Sequence, residues 1–104
     1  MSGAAAQLHR SLVARIGLDP DRVLIGRFHS VDWQSLTFTG ERHELSLRLT
    51  GPDPDQALAR LRDGLADAEW RLFGHIVADI VIVGDEVSDD GSIWVDLEAL
   101  TLTD

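Results

Sequence analysis

Along the first segment, apolar residues recur at the spacing of a helix. Leu8, Leu12 and Ile16 lie four residues apart, so they would form a single stripe on one side of a helix. Gly17 follows directly, and glycine is favoured where a helix ends in a left-handed residue. We therefore predict an N-terminal helix over residues 1–18.

Between residues 22 and 50 the pattern changes from helical spacing to strand spacing. Leu45, Leu47 and Leu49 point to one side of the segment, and polar residues occupy the positions between them. Such period-two alternation is typical of an antiparallel sheet with one face in water. We predict a meander of three strands over 22–50, namely 23–28, 33–39 and 43–50.

Short polar or glycine-containing stretches separate these strands. Residues 30–32 interrupt the first apolar run, and Gly40-Glu41 is a turn signal between the second and third strands. The clearest hairpin of the chain is therefore predicted over 33–50.

The second helix has a start signal of its own. Asp53 can cap a helix N-terminus, Pro54 suits its first position and Gln56 lies at the third. Apolar residues then recur three or four positions apart, at Leu58, Leu61, Leu65, Ala68 and Leu72. We predict a central helix over 53–69, in which an interior Gly64 would cost up to about 1 kcal/mol.

The last third of the chain predicts a hairpin of two strands over 74–102. The run 76–83 is apolar on both faces apart from Asp79, which indicates a buried strand with a hydrogen-bonded carboxylate. Asp90-Gly91 is a turn signal. In the final strand the apolar positions change parity, which indicates a bulge at 98–99 or a strand covered on both faces.

Together these elements predict a single α+β domain with the order α-β-β-β-α-β-β. We expect an antiparallel five-stranded sheet with both helices on one face. Two helices cover only one side of such a sheet, so the other face would stay open to a partner or to water.

Charge is distributed unevenly along this chain. Residues 1–71 hold all nine arginines and ten of the eighteen acids, whereas residues 72–104 hold eight acids and no lysine or arginine. The same C-terminal segment is rich in isoleucine, valine and leucine, so it should be folded. We therefore predict a rigid, acidic C-terminal hairpin that presents one strongly negative surface.

Composition excludes several classes of chemistry and of partner. The chain has no cysteine, so disulfides and thiolate chemistry are excluded, and it has no lysine, which excludes Schiff-base chemistry. No cofactor motif is present. A net charge of −9 argues against nucleic-acid binding, which needs a basic face.

The N-terminus and the length of the apolar runs indicate where in the cell the protein is located. No basic segment followed by a long apolar run opens the chain, so no signal peptide is predicted. The longest apolar run, 76–83, is far shorter than the roughly 20 residues that span a bilayer. We expect a cytoplasmic protein without membrane contact, and the all-arginine basic complement is typical of a GC-rich bacterial genome.

A carboxylate–histidine site is one candidate for ligand binding or acid–base catalysis. Asp79 and His75 lie in the predicted C-terminal hairpin, and His43 lies in the central one. General acid–base work would require these three groups to converge in one pocket. This alternative is a small ligand-binding protein or an enzyme.

The acidic loop after the fourth predicted strand is a candidate cation site. Asp85, Asp89 and Asp90 resemble a calcium loop in composition, but the positions required of an EF-hand are not matched. The competing interpretation is a solvated hairpin tip whose charges deter edge pairing.

The last strand offers a candidate protein interface. The parity of Trp94 places it with Asp96 and Glu98, opposite Val95 and Leu97. An aromatic residue on an acidic strand face can anchor an interface. We therefore expect a non-enzymatic binding or assembly module that forms a homodimer or binds a basic protein partner.

Overall fold

The computed structural model describes residues 1–104 as two α-helices and a four-stranded antiparallel sheet. The element order is α1 (Gly3–Ile16), β1 (Val23–Gln34), β2 (Thr39–Leu49), α2 (Pro54–Arg62), β3 (His75–Val87) and β4 (Ile93–Thr103). Single 3₁₀ turns lie at Pro20–Arg22 and Leu65–Asp67. The α+β class is confirmed, but the order is α-β-β-α-β-β, and the prediction of five strands was wrong.

The structure has one strand fewer than predicted because β1 is continuous. The predicted strands 23–28 and 33–39 are not separate, because β1 runs through residues 30–32 in register with β2. Ser30 pairs with His43 and Asp32 pairs with Glu41, so cross-strand partners override the local turn preference. The turn lies at residues 35–38 instead, and Gly40 belongs to β2.

Helix α1 forms where the leucine stripe predicted it. The Ser2 hydroxyl accepts a hydrogen bond from the Ala5 N–H at 3.1 Å and caps the N-terminus. Gly17 adopts φ 75° at the C-terminus, where its N–H donates to the Val13 carbonyl.

Helix α2 is shorter than the predicted 53–69. It ends at Arg62, because Gly64 adopts the left-handed conformation at φ 64° and redirects the chain into the second 3₁₀ turn. Leu65 remains buried in that turn. The side chain of Asp53 makes no capping hydrogen bond.

Both helices pack against the same face of the sheet. The buried core combines apolar residues of the helices and of the central strands: Leu8, Leu12, Ile16, Ala57, Leu61, Leu45, Leu47, Leu49, Val95 and Leu97. The Arg60 guanidinium donates to the Ile16 carbonyl at 2.8 Å and joins the end of α1 to α2. The opposite face of the sheet has no covering layer.

The strand order β1-β2-β4-β3 makes β4 a central strand and β3 an edge strand. Odd-numbered residues of β4 are buried without interruption from Ile93 to Thr101, so the predicted bulge at 98–99 is absent. The irregularities lie in β3 instead, at Ala78 and Val83. The prediction that β3 is buried on both faces was wrong, since Ile80 is its only fully buried residue.

Candidate functional site

The open face of the sheet is formed by the side chains that point away from the helices. On β2 and β4 these are the even-numbered residues, because the odd-numbered residues 43–49 and 93–101 are buried against the helices. Strand register extends the face to β1 and β3 in cross-strand rows. One such row contains Leu24, Arg48, Trp94 and Glu86, and a second contains Arg27, Ser46, Asp96 and Gly84.

Charge divides this open face into two halves. The half formed by β1 and β2 carries three arginines and one glutamate: Arg27, Arg42, Arg48 and Glu44. The half formed by β4 and β3 carries four carboxylates and no arginine: Asp79, Glu86, Asp96 and Glu98. The three ion pairs of the chain use other acids, namely Glu44, Asp85 and Asp90. The acidic half is therefore not neutralised from within the chain.

Trp94 lies on the open face as its parity predicted, but it is held in place by neighbours. A Cβ atom added at Gly26 would lie 2.2 Å from the indole ring, so the ring reaches over β2 to the backbone of β1. The Arg48 guanidinium carbon lies 5.8 Å from the ring centroid, a cation–π contact. Trp94 is thus a partly exposed, rigid aromatic next to Asp96.

Arg48 connects Trp94 to the β3–β4 turn. Its Nε donates to the Ser92 hydroxyl at 3.0 Å, and its guanidinium pairs with Asp90. Asp90 also accepts from the hydroxyl and the N–H of Ser92. The Ser92 hydroxyl and N–H, with Arg48, hold the pKa of Asp90 below its ordinary value.

The fold does not gather the acidic loop into a metal-binding cluster. Asp85 pairs with Arg62, whereas the Asp90 carboxylate is engaged by Ser92 and Arg48. No group of three or more His, Cys, Asp or Glu side chains is arranged to hold a metal ion. The geometry therefore favours the solvated-tip interpretation over a cation site.

His43 is part of the core. Its Nδ1 lies 2.7 Å from the Ser30 hydroxyl, its Nε2 lies 2.8 Å from the Thr101 hydroxyl, and the residue is fully buried. Burial lowers the pKa of His43, an effect that Glu41 opposes and His75 reinforces. The alternation with Leu45, Leu47 and Leu49 was the signal that would have placed it on the buried face.

The three residues of the predicted carboxylate–histidine site do not share one surface. His43 is buried under the helices and Asp79 lies opposite Leu100 on the open face. The expectation of a buried Asp79 was wrong, because this side chain points to the open face, which no layer covers. His75 lines a polar cleft of about 290 Å³ at the end of the sheet. Two acids, Asp32 and Glu41, also line this cleft, and the sequence patterns did not associate them with His75.

No helix of the protein combines the length and the apolar character needed to cross a bilayer.

Comparison with known proteins gives a likeness of fold. No family model and no curated protein matches the chain. Among solved structures, a chain from the virion of a native gene transfer agent particle superposes with a TM-score of 0.55 and 19% sequence identity. The superposition covers 97% of this chain and 92% of the virion chain. The protein therefore shares its fold, over nearly the whole length of both chains, with a chain of the gene transfer agent virion.

Proposed function

We propose that the protein is a non-enzymatic assembly module that associates with other protein chains through the open face of its sheet. The observation that carries this proposal is the uncovered face itself, which combines a rigid, partly exposed Trp94 with four carboxylates that form no ion pair within the chain. An aromatic anchor is typical of a protein interface, and the unpaired carboxylates around it can select a partner of complementary charge.

The fold likeness supports a structural role in a particle. The similar chain comes from a gene transfer agent virion, and we infer that this protein also assembles with other virion proteins in such a particle. Its final location would then be the particle rather than the cytoplasm.

The chemistry of the acidic half defines the partner. Asp96 and Glu98 favour a basic surface, and the arginine-bearing half of the same open face in a second copy is one such surface. A homodimer is therefore the simplest assembly, and a basic protein partner is the alternative.

Light scattering after size-exclusion chromatography tests this proposal. The protein concentration would be varied over about 1 to 100 μM, which covers dissociation constants in the micromolar range. We expect the mass of the wild-type protein to rise above that of one copy. Glu98→Arg should reduce the association, whereas Asp67→Arg, an exposed acid on the helical side, should leave it unchanged. A wild-type protein that stays strictly monomeric would overturn self-association.

A further inference from the structure

Most of the exposed large apolar side chains lie on the two edge strands of the sheet. They are Leu24, Ile25 and Val31 on β1, and Ile76, Val81, Val83 and Val87 on β3. The central strands β2 and β4 carry none. Long edge strands with exposed aliphatic residues can add a strand from another chain. Leu24, Val31, Ile76 and Val81 share rows with open-face residues, so a chain that covers that face would cover them as well. The unpaired backbone along both edges would stay uncovered.

The directions of the two edges fit each other. Each neighbouring pair of strands is antiparallel, and the sheet has four strands, so β1 and β3 run in opposite directions. A second copy in the same orientation, displaced sideways, brings its β1 antiparallel to β3 of the first. We propose that β1 of one copy pairs with β3 of the next, so that the sheet continues from copy to copy. This inference rests on the proposed assembly role.

The internal register already aligns apolar positions for this contact. Trp33 and Ile76 lie in one cross-strand row of the sheet, and His29 and Val81 lie in another. A displacement with no shift along the strands therefore sets Trp33 of one copy beside Ile76 of the next. It likewise sets His29 beside Val81, and directly opposed side chains of this kind stabilise a strand pair.

The bends of the two edges also match. The bulge in β1 lies at Gly26 and one bulge in β3 lies at Val83. Both adjoin the row that contains Ser46 and Asp96, so the two edges bend at the same level of the sheet. A bulge increases local twist, and two edges that twist at the same level can follow each other along their length.

Charge favours contact between unlike edges over contact between like edges. Strand β3 carries Asp79, Asp85 and Glu86 and no arginine. Asp85 pairs with Arg62, so two β3 edges would bring four unpaired carboxylates together. Strand β1 carries Arg27, which lies one row from Glu86 of the neighbour in the unshifted register. A contact between two different surfaces repeats head to tail, and it produces a closed ring or an open filament.

Thiol crosslinking tests the edge pairing, because the wild-type chain has no cysteine. We expect His29→Cys mixed with Val81→Cys to give a crosslinked heterodimer with a short bismaleimide. Neither variant alone should crosslink, and the double variant should give a ladder of three or more copies. Asp67→Cys, exposed on the helical side, is the control and should stay uncrosslinked.

The outcomes separate this inference from the proposed function. Efficient crosslinking of Val81→Cys to itself would show pairing of like edges and would overturn the inference. A wild-type mass above one copy without any crosslink between residues 29 and 81 would also overturn it, while the assembly role would stand. A strictly monomeric wild-type protein without crosslinks would overturn both this inference and self-association through the open face, and would leave a different protein chain as the partner of that face.

Discussion

The indole ring of Trp94 lies over Gly26, two strands away across the sheet. There is no space for a side chain at residue 26, because an added Cβ would meet Cζ3 of the ring at 2.2 Å. The glycine bulge of β1 and the aromatic residue of β4 are therefore one structural unit of the open face. Arg48 adds a cation–π contact to the same ring.

Substitution Gly26→Ala should displace the Trp94 ring and lower the free energy of unfolding by about 1–3 kcal/mol, as overpacking does elsewhere. Chemical denaturation measures the stability. Trp94 fluorescence, in a Trp33→Phe/Trp70→Phe background, measures the displacement. Gly84→Ala is the matched control, because nothing lies within 4 Å of its added Cβ. Equal stability of the two variants would contradict the described packing.

A related prediction concerns Gly40, which the sequence indicated as a turn residue. In β2 an added Cβ would lie 1.9 Å from the carbonyl oxygen of Thr101, a backbone atom that cannot move aside alone. Gly40→Ala should therefore destabilise the fold by at least about 1–3 kcal/mol and lower the melting temperature more than Gly84→Ala does. An unchanged melting temperature would restore the turn interpretation.

Stability should fall as the pH decreases below about 6.5, the ordinary pKa of histidine. Burial lowers the pKa of both His43 and His9 in the folded protein, so the unfolded chain binds protons first as the pH falls. The loss runs from there down to the lowered pKa values, at no more than about 1.4 kcal/mol per pH unit for each histidine.

Denaturant titrations between pH 8 and pH 5 measure this dependence. His43→Gln should reduce the slope, because it removes one of the two histidines whose pKa burial lowers. His29→Gln is the control, since His29 is exposed. A wild-type stability that rises as the pH falls through 6.5 would have the wrong sign for this account.

Calcium at millimolar concentration should leave the melting temperature unchanged. A ligand that binds the folded state must raise it, but the Asp85 and Asp90 carboxylates are already paired with Arg62 and Arg48. Differential scanning fluorimetry with calcium, and with magnesium for comparison, measures the effect. A rise that is lost in Asp89→Asn would revive the cation site.

The sequence was most informative where patterns were regular and local. The leucine stripe of α1, the alternation of Leu45, Leu47 and Leu49, and the parity of Trp94 were each read correctly, because one buried face fixes each pattern. From these positions the α+β class and the presence of an open sheet face could be predicted.

The sequence was least informative where long-range partners decide the structure. Residues 30–32 resemble a break, but pairing with β2 holds them in a strand. The apolar run of β3 resembles a buried strand, but the strand order places it at an edge. The burial of His43, by contrast, could have been read from its alternation with Leu45, Leu47 and Leu49. No single segment of the sequence determines the strand order.

The central claim is that a protein chain covers the open face on assembly, and the exposure of Trp94 tests it most directly. Acrylamide quenching of Trp94 fluorescence, in the Trp33→Phe/Trp70→Phe background, would be measured at low and at high protein concentration. We expect quenching to decrease as the mass of the protein rises above one copy. Quenching that stays constant while the mass rises would show that assembly leaves this face uncovered and would contradict the account.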